Sequence, residues 1–486
     1  MSALRRPGGA PGSSDFLGGA LFTAAALAAA LAIGAAAATR SPEALLGGFA
    51  VLVIATIALA RPAVVAAAVL GLVATLPRDV LYGPSLPIGG GGLKVTDVLV
   101  ALAFASWLVA ALAAPQRMRL PTRSTVLLLI GFLALAGVSI ATAQHEGAPG
   151  NITLIELRPL LSYLLIFPIV GAIRTVRDAE RAVAVVLAAC AAGSVATLYL
   201  YFSGQGSAAT FAGDAQRVVD TPFLYPLMAV VWAIVLVPTS RRGPGRTATL
   251  VVASLGLAAL LFTFQRGAWA ALIAVAPLAI VLLPRGKRGT GLARFLPIAG
   301  IGLAVVLGVN AMAATGATNP LTSAVERLES LGQYGEDKSN QYRVAEWTTA
   351  VQEIRRHPVT GIGLGSSIEF ENPLQDLAPE GVNFSQYYIH NSYIWMALKL
   401  GVIAALLFIA LAVSTTVRAY RAYRRAADPR VARLLLGGFA SMITLLLVSF
   451  SGPHLNIDAA TPYVAATIGL IEATRRLALP RAERPT

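Results

Sequence analysis

The chain has few charged residues for its length. Only 13% of its 486 residues are Asp, Glu, Lys or Arg, whereas about a quarter is usual in a soluble domain. Hydrophobic residues make up 56% of the chain, and the mean hydropathy is +0.70. This composition excludes a large soluble domain and predicts one integral membrane domain with connecting loops.

Cysteine and histidine are scarce too. Cys190 is the single cysteine and lies in an apolar run, so no intramolecular disulfide can form and the thiol is expected to be a packing residue. The four histidines do not occur at a metal-binding spacing such as HExxH. The sequence therefore predicts no disulfide, no metal and no cofactor.

Apolar runs long enough for a membrane-spanning helix, about 20 residues, recur along the whole chain. The first follows Arg5 and Arg6 and is interpreted as a signal anchor rather than a cleaved signal peptide. The second and third are short and are separated by Arg61-Pro62. The pattern predicts an all-α polytopic membrane protein with about 12–14 transmembrane helices, at 16–38, 45–60, 62–77, 96–114, 125–143, 154–173, 182–202, 223–239, 248–264, 267–283, 295–314, 389–413, 433–451 and 459–474.

The basic residues predict the orientation, because short cytoplasmic loops are rich in Lys and Arg. With the N-terminus inside, roughly two thirds of the 38 basic residues and about a quarter of the 24 acidic ones are cytoplasmic. The net charge of +14 then reflects topology and attraction to anionic lipid, and nucleic acid is not an expected partner. Three regions follow: N-terminal transmembrane helices (1–314), an extracytoplasmic loop region (315–388), and C-terminal transmembrane helices with a cytoplasmic tail (389–486).

The extracytoplasmic loop region contains one predicted helix, from about Asn340 to Arg356, with Ser339 as a candidate N-cap and Pro358 after its end. Its residues Arg343, Trp347, Val351 and Ile354 share one helical face. The helix is therefore expected to lie on the membrane domain with that face inward. The glycine-rich run Gly361–Gly365 lacks the GxGxxG spacing of a dinucleotide turn and is interpreted as loop geometry.

Four polar residues reach the predicted outer surface. His390, among tyrosines at the start of a span, is either a general base or an interfacial histidine in an aromatic belt. Arg266 lies between two spans with almost no loop, and is either an anion clamp or a snorkelling residue. Arg343 could face a phosphate or pair with Glu346. Arg158 could likewise face a phosphate, or it could pair with Glu156. Together they predict a polyanion site with a base beside it.

Four motifs lie in the second half of the chain, over about 260–411. They are Gln265-Arg-Gly-Ala-Trp269, Arg343-x-x-Glu346-Trp347, His357-Pro-x-x-Gly-Ile-Gly-Leu-Gly365 and His390-Asn-Ser-Tyr393. In their order and spacing they resemble the O-antigen ligase and O-antigen polymerase superfamily. The ligases look like H-[N/S/Q]-x9-G-x-x-[G/T/Y]. His390, Asn391 and Gly401 fit this pattern, whereas Ala404 departs from it at the last position.

The resemblance implies metal-independent glycosyl transfer on the outer face of the bacterial cytoplasmic membrane. The partners would be a polyprenyl-diphosphate-linked glycan donor, of undecaprenyl type, a lipid or glycan acceptor, and membrane lipids. His390 would deprotonate the acceptor hydroxyl, and Arg266, Arg343 and Arg158 would hold the diphosphate. Supporting roles fall to Gln265, Asn391, Tyr393 and Glu346. Two alternatives stay open: a polymerase of lipid-linked repeat units, and a transporter or flippase of lipid-linked sugars.

Overall fold

A computed structural model describes residues 62–75, 94–204, 207–208, 216–217, 223–284, 286–289, 338–370, 385–387 and 389–478. These residues form an all-α polytopic membrane architecture, which confirms the predicted fold class. The helices are α1 (Pro62–Thr75), α2 (Val95–Ala113), α3 (Arg123–His145), α4 (Gly150–Leu161), α5 (Ile166–Ala172), α6 (Val176–Phe202), α7 (Leu224–Thr239), α8 (Pro244–Phe262), α9 (Arg266–Leu282), α10 (Lys338–Arg356), α11 (Ser392–Leu400), α12 (Val402–Arg425), α13 (Pro429–Val448) and α14 (Thr461–Leu477).

Short non-α elements complete the described part of the chain. Two 3-10 turns cover Pro115–Arg117 and Ser162–Leu165. Strands β1 (Ser207–Ala208) and β2 (Gln216–Arg217) pair antiparallel, as do β3 (Ile368–Glu369) and β4 (Ser385–Gln386). The strands β3 and β4 both lie between α10 and α11 in chain order.

Within the described residues, 7 helical segments are long and apolar enough to cross a membrane. Arg123–His145, for example, encloses the predicted span 125–143. Three shorter apolar helices, Ala63–Thr75, Leu224–Thr239 and Arg266–Leu282, fall on other predicted spans. The predicted spans 16–38, 45–60 and 295–314 lie outside the described residues.

The predicted span 389–413 is wrong as a single helix, because the chain breaks at Gly401. This glycine has φ +87°, a left-handed value that side-chain-bearing residues rarely adopt. A Cβ at Gly401 would also overlap the backbone carbonyl of Val359. The apolar run therefore forms α11, of 9 residues, and the longer α12, of 24 residues, with the 357–365 segment against the break.

Helix α7 lies at the centre of the described bundle. All of its side chains from Leu224 to Pro238 are buried. Trp232 donates its indole N–H to the Tyr463 hydroxyl of α14 at 3.0 Å. Gly437 of α13 packs directly on the Trp232 ring, leaving no room for a Cβ. Small residues of this kind let membrane helices approach closely, so the tight core is built around one indole.

Polar contacts gather the predicted cytoplasmic segments at one end of the bundle. The buried Glu472 carboxylate accepts from Arg418 at 2.9 Å and from the Thr122 backbone N–H at 3.1 Å. Arg433 pairs with Glu180 at 2.6 Å. Helices α12, α13 and α14 lead away from these contacts to the opposite end, where His390 and the 449–460 loop lie.

Helix α10 begins at Lys338, two residues before the predicted start, so Ser339 lies inside it. Its buried positions are Asn340, Glu346 and Ala350, with Trp347 half-buried. The predicted inward face was wrong at Val351, which is 36% exposed. A carboxylate, that of Glu346, is fully buried on the inward face where an aliphatic side chain was expected.

Candidate functional site

His390 lies immediately before α11, and its side chain is 27% exposed. The next residue, Asn391, is the N-cap of that helix: its side-chain oxygen accepts the backbone N–H groups of Tyr393 at 2.9 Å and Ile394 at 3.1 Å. This is the usual role of Asn at a helix start. The cap fixes the backbone direction at His390 and keeps its imidazole at the end of the bundle.

The carboxylate of Glu346 contacts His390 through both of its oxygens. Oε1 lies 3.0 Å from Nδ1 of the imidazole, and Oε2 accepts the His390 backbone N–H at 2.9 Å. Glu346 is fully buried on α10. The ring of Tyr342, one turn earlier on α10, meets the imidazole edge-on with centroids 5.9 Å apart. The helix of the loop region therefore supplies one wall of the site.

The 449–460 loop between α13 and α14 forms a second wall. Ser392 donates its backbone N–H to the Ser449 carbonyl and its hydroxyl to the Gly452 carbonyl, both at 3.0 Å. The same hydroxyl accepts the Leu455 N–H at 3.0 Å. Tyr393, in turn, donates its hydroxyl to the Leu446 carbonyl at 2.7 Å. Three of these bonds fasten the loop to the start of α11, beside His390, and the fourth joins α11 to the end of α13.

His454 places a second imidazole in this loop. It is buried, and its ring meets that of Phe223 edge-on at 4.7 Å. Burial, and then the nearby Arg343 and His390, lower the pKa of His454 to about 3. His454 is therefore neutral at physiological pH, and Arg343 lies close enough to His390 for both to act on the same buried ring.

Arg266 reaches the same loop from α9. It is the first residue of that helix, with Gln265 as the N-cap and Phe264 in a left-handed conformation at φ +50°. Gly267 packs so closely on Ser451 that a Cβ would overlap the Ser451 side chain. Arg266 is half-buried, and the tight turn at Phe264 puts it at the end of the bundle where the 449–460 loop lies.

Arg158 lies elsewhere in the polar network. It is the ninth residue of α4 rather than the start of a span, is 7% exposed, and pairs with Asp97 of α2 at 3.0 Å. Burial lowers the pKa of the neighbouring Lys94 to about 8, while enclosure, and then the Asp97 charge, raise the pKa of Asp458 to about 7. We call Lys94, Asp97, Arg158 and Asp458 the Arg158 cluster. Asp458 belongs to the 449–460 loop, so the cluster adjoins the His390 wall.

The glycine-rich run Gly361–Gly365 forms a loop, as its sequence indicated. Gly361, Gly363 and Gly365 have φ values of +68°, +91° and +88°, which are open to glycine. A Cβ at Gly363 would lie 2.7 Å from the backbone nitrogen of Ala143, and one at Gly361 would lie 2.5 Å from the Leu398 carbonyl oxygen. The run therefore packs its backbone directly against α3 and α11.

A buried ion pair holds this run in place. Lys399 of α11 contacts both carboxylate oxygens of Glu156, at 2.8 and 3.0 Å, and also donates to the Ser366 carbonyl. Glu156 accepts the Gly365 backbone N–H at 2.5 Å. Sequence reasoning considered Glu156 only as a partner for Arg158 and missed Lys399. A lone Lys within an apolar run was the available signal, since such residues are usually paired.

Residues 250–409 match the family model described as O-antigen ligase. This match confirms the resemblance to that superfamily, which the motifs placed over nearly the same stretch. It includes Arg266, Arg343, Glu346 and His390, whereas Arg158 and the 449–460 loop lie outside it. No curated protein matches the chain.

Proposed function

We propose, because residues 250–409 match the O-antigen ligase family, that the protein transfers a glycan from a polyprenyl-diphosphate carrier to an acceptor hydroxyl. The observation that carries the proposal is that Arg266 and His390 adjoin the 449–460 loop, while Arg343 lies one turn from Glu346, which contacts His390. A base beside cationic groups suits a reaction in which a hydroxyl attacks and a diphosphate leaves.

The reaction moves one proton, forms one bond and breaks one bond. His390 takes the proton of the acceptor hydroxyl on Nε2, because Nδ1 contacts Glu346 at 3.0 Å. The acceptor oxygen forms a bond to the anomeric carbon of the donor sugar. The bond from that carbon to the diphosphate oxygen breaks, and its electron pair leaves with the diphosphate. Attack opposite the leaving group would invert the anomeric centre.

Arg266 and Arg343 are assigned to the diphosphate. A guanidinium binds phosphate oxygens through two parallel N–H donors, and negative charge grows on the leaving group as the bond breaks. Preorganised arginines therefore stabilise the transition state more than the ground state. The guanidinium groups supply the positive charge, so this chemistry calls for no metal. Arg158 is not assigned to the diphosphate, because it pairs with Asp97.

The proposed reaction takes place on the extracytoplasmic side of the bacterial cytoplasmic membrane, with both termini in the cytoplasm. The support is the charge distribution: the arginine-rich segments around Glu472 and Arg433 lie at the end of the bundle opposite His390. Basic segments of that kind stay on the cytoplasmic side, next to anionic lipid.

The test is a reconstituted transfer assay. The purified protein in lipid nanodiscs is given a polyprenyl-diphosphate-linked glycan and, separately, lipid acceptors or further lipid-linked glycan. Glycan on a new carrier indicates a ligase, and an extended chain on the polyprenyl carrier indicates a polymerase. We expect His390→Ala to lower transfer at least about 100-fold, the scale of general base catalysis, with unchanged donor binding.

The matched control is His145→Ala, which removes an exposed imidazole at the end of α3. It should transfer glycan at the wild-type rate. Transfer by His390→Ala at that same rate would contradict the base assignment. Movement of the intact lipid-linked donor across a bilayer, with no glycosidic bond made or broken, would favour the transporter alternative instead.

A further inference from the structure

Both oxygens of the Glu346 carboxylate are used in contacts with His390. One oxygen contacts the imidazole Nδ1, and the other contacts the backbone N–H. The side chain is fully buried. Leaving water is costly for a carboxylate unless hydrogen bonds replace the lost hydration. Glu346 is thus a buried carboxylate, costly to desolvate, that contacts the candidate base through both of its oxygens.

The two contacts together determine the tautomer of the ring. The backbone N–H of His390 is always a donor, so Oε2 must accept there. Oε1 is then the acceptor that faces Nδ1, and a neutral imidazole meets it by carrying its proton on Nδ1. The lone pair consequently resides on Nε2, which is the nitrogen that can receive a proton.

We propose that Glu346 is the positioning residue of His390, holding the ring as the Nδ1–H tautomer with Nε2 as the base; this rests on the proposed function. Glu346 acts through His390 and does not touch substrate. When Nε2 takes the acceptor proton, the carboxylate faces the resulting imidazolium and stabilises it. A carboxylate that orients a histidine in this way is a recurrent arrangement in hydrolase active sites.

Because Glu346 lies on α10, this helix of the loop region contributes directly to the candidate site. Arg343 and Glu346 are one turn apart on α10, so the same rigid turn carries a diphosphate ligand and the residue that orients the base. Docking of α10 on the membrane domain completes both parts of the site at once. The inward face of α10 is centred on Glu346 for this reason.

Glu346→Gln tests the proposal. The amide has one oxygen and one NH₂ group where the carboxylate has two acceptors. The His390 backbone N–H requires the oxygen, which leaves the NH₂ group facing Nδ1. We expect the ring to become an acceptor at Nδ1 and to carry its proton on Nε2, so kcat should fall at least about 100-fold with donor binding unchanged.

The tautomer is read from ¹⁵N chemical shifts of histidine-labelled protein in nanodiscs at alkaline pH, with His390 assigned by its loss in His390→Gln. Wild-type protein should show a protonated Nδ1, and Glu346→Gln a protonated Nε2. The matched control is Glu353→Gln on the same helix, where the carboxylate pairs with the exposed Arg356. It should keep the wild-type tautomer and kcat.

An unchanged tautomer or an unchanged kcat in Glu346→Gln would overturn the positioning role. If that variant does not accumulate in the membrane, Glu346→Asp takes its place. It keeps both acceptor oxygens, so it should retain the Nδ1–H tautomer with a smaller loss of kcat. A protonated Nε2 at full activity would contradict the positioning role of Glu346. The ¹⁵N result does not depend on transfer, so failure of the proposed function is separately visible.

Discussion

At the scale of single residues, Arg266 and Arg343 are the groups whose geometry matters most to the proposed chemistry. They reach the site from α9 and α10, and both are half-buried. A lysine keeps the charge but loses the paired N–H donors of the guanidinium. We expect Arg266→Lys and Arg343→Lys each to lower kcat/KM about 10–100-fold, the loss of one charge-assisted hydrogen bond, measured with the lipid-linked donor.

The matched control for both is Arg355→Lys, at an exposed position near the end of α10. Its kcat/KM should equal that of the wild type. If Arg266→Lys and Arg343→Lys behave like this control, neither arginine binds the diphosphate, and snorkelling or structural pairing would account for their presence.

Sequence reasoning recognised His390 and Arg266 because each lies at a span boundary, and Arg343 because it lies on the inward face predicted for the loop helix. It listed Glu346 too, but as a partner for Arg343, whereas both carboxylate oxygens contact His390. It did not single out Lys399. These partnerships join residues far apart in the chain, and no local pattern reports which helices are neighbours in space.

At the scale of secondary structure, the break at Gly401 is the feature that hydropathy does not detect. The run across α11 and α12 is continuously apolar, so it predicts one span. The break depends on φ +87° at Gly401 and on contact with the Val359 carbonyl, which is made by a distant segment. By contrast, α3 was predicted within two residues at each end, since its apolar run and its helix coincide.

Gly401→Ala is therefore expected to destabilise the protein. Gly401 combines φ +87° with ψ 160°, a conformation that costs a residue with a side chain about 1–3 kcal/mol, and the Cβ of alanine would also displace the Val359 backbone. We expect a lower unfolding midpoint in detergent and lower transfer, because the 357–365 segment leads directly from α10. The measurement is a thermal unfolding curve for each purified variant.

Gly137→Ala provides the comparison. Gly137 lies in the middle of α3, with nothing near the position of a Cβ, and alanine is the better helix former by about 1 kcal/mol. Its midpoint should be equal to or above that of the wild type. A Gly401→Ala protein as stable as Gly137→Ala would mean that the helix break tolerates a side chain.

At the scale of the whole molecule, the two ends of the bundle have different chemistry. One end carries the Glu472 contacts with Arg418 and Thr122, and the other carries His390 with Glu346. The count of basic residues predicts the arginine-rich end to be cytoplasmic, because positive charge is retained in cytoplasmic loops. The sequence also predicted that α10 lies on the membrane domain with Arg343 near His390, but it did not predict the contact between Glu346 and His390, which are far apart in the chain.

The orientation of the two ends can be tested with single cysteines. The natural chain is a suitable background because its only cysteine, Cys190, is fully buried and should not react with a membrane-impermeant maleimide. We expect Arg355→Cys on α10 to be labelled in intact spheroplasts. Arg430→Cys, at an exposed position in the first turn of α13, should be labelled only after the membrane is permeabilised. The reverse pattern would put His390 and its arginines in the cytoplasm, where an enzyme acting on outward-facing lipid-linked glycans cannot work.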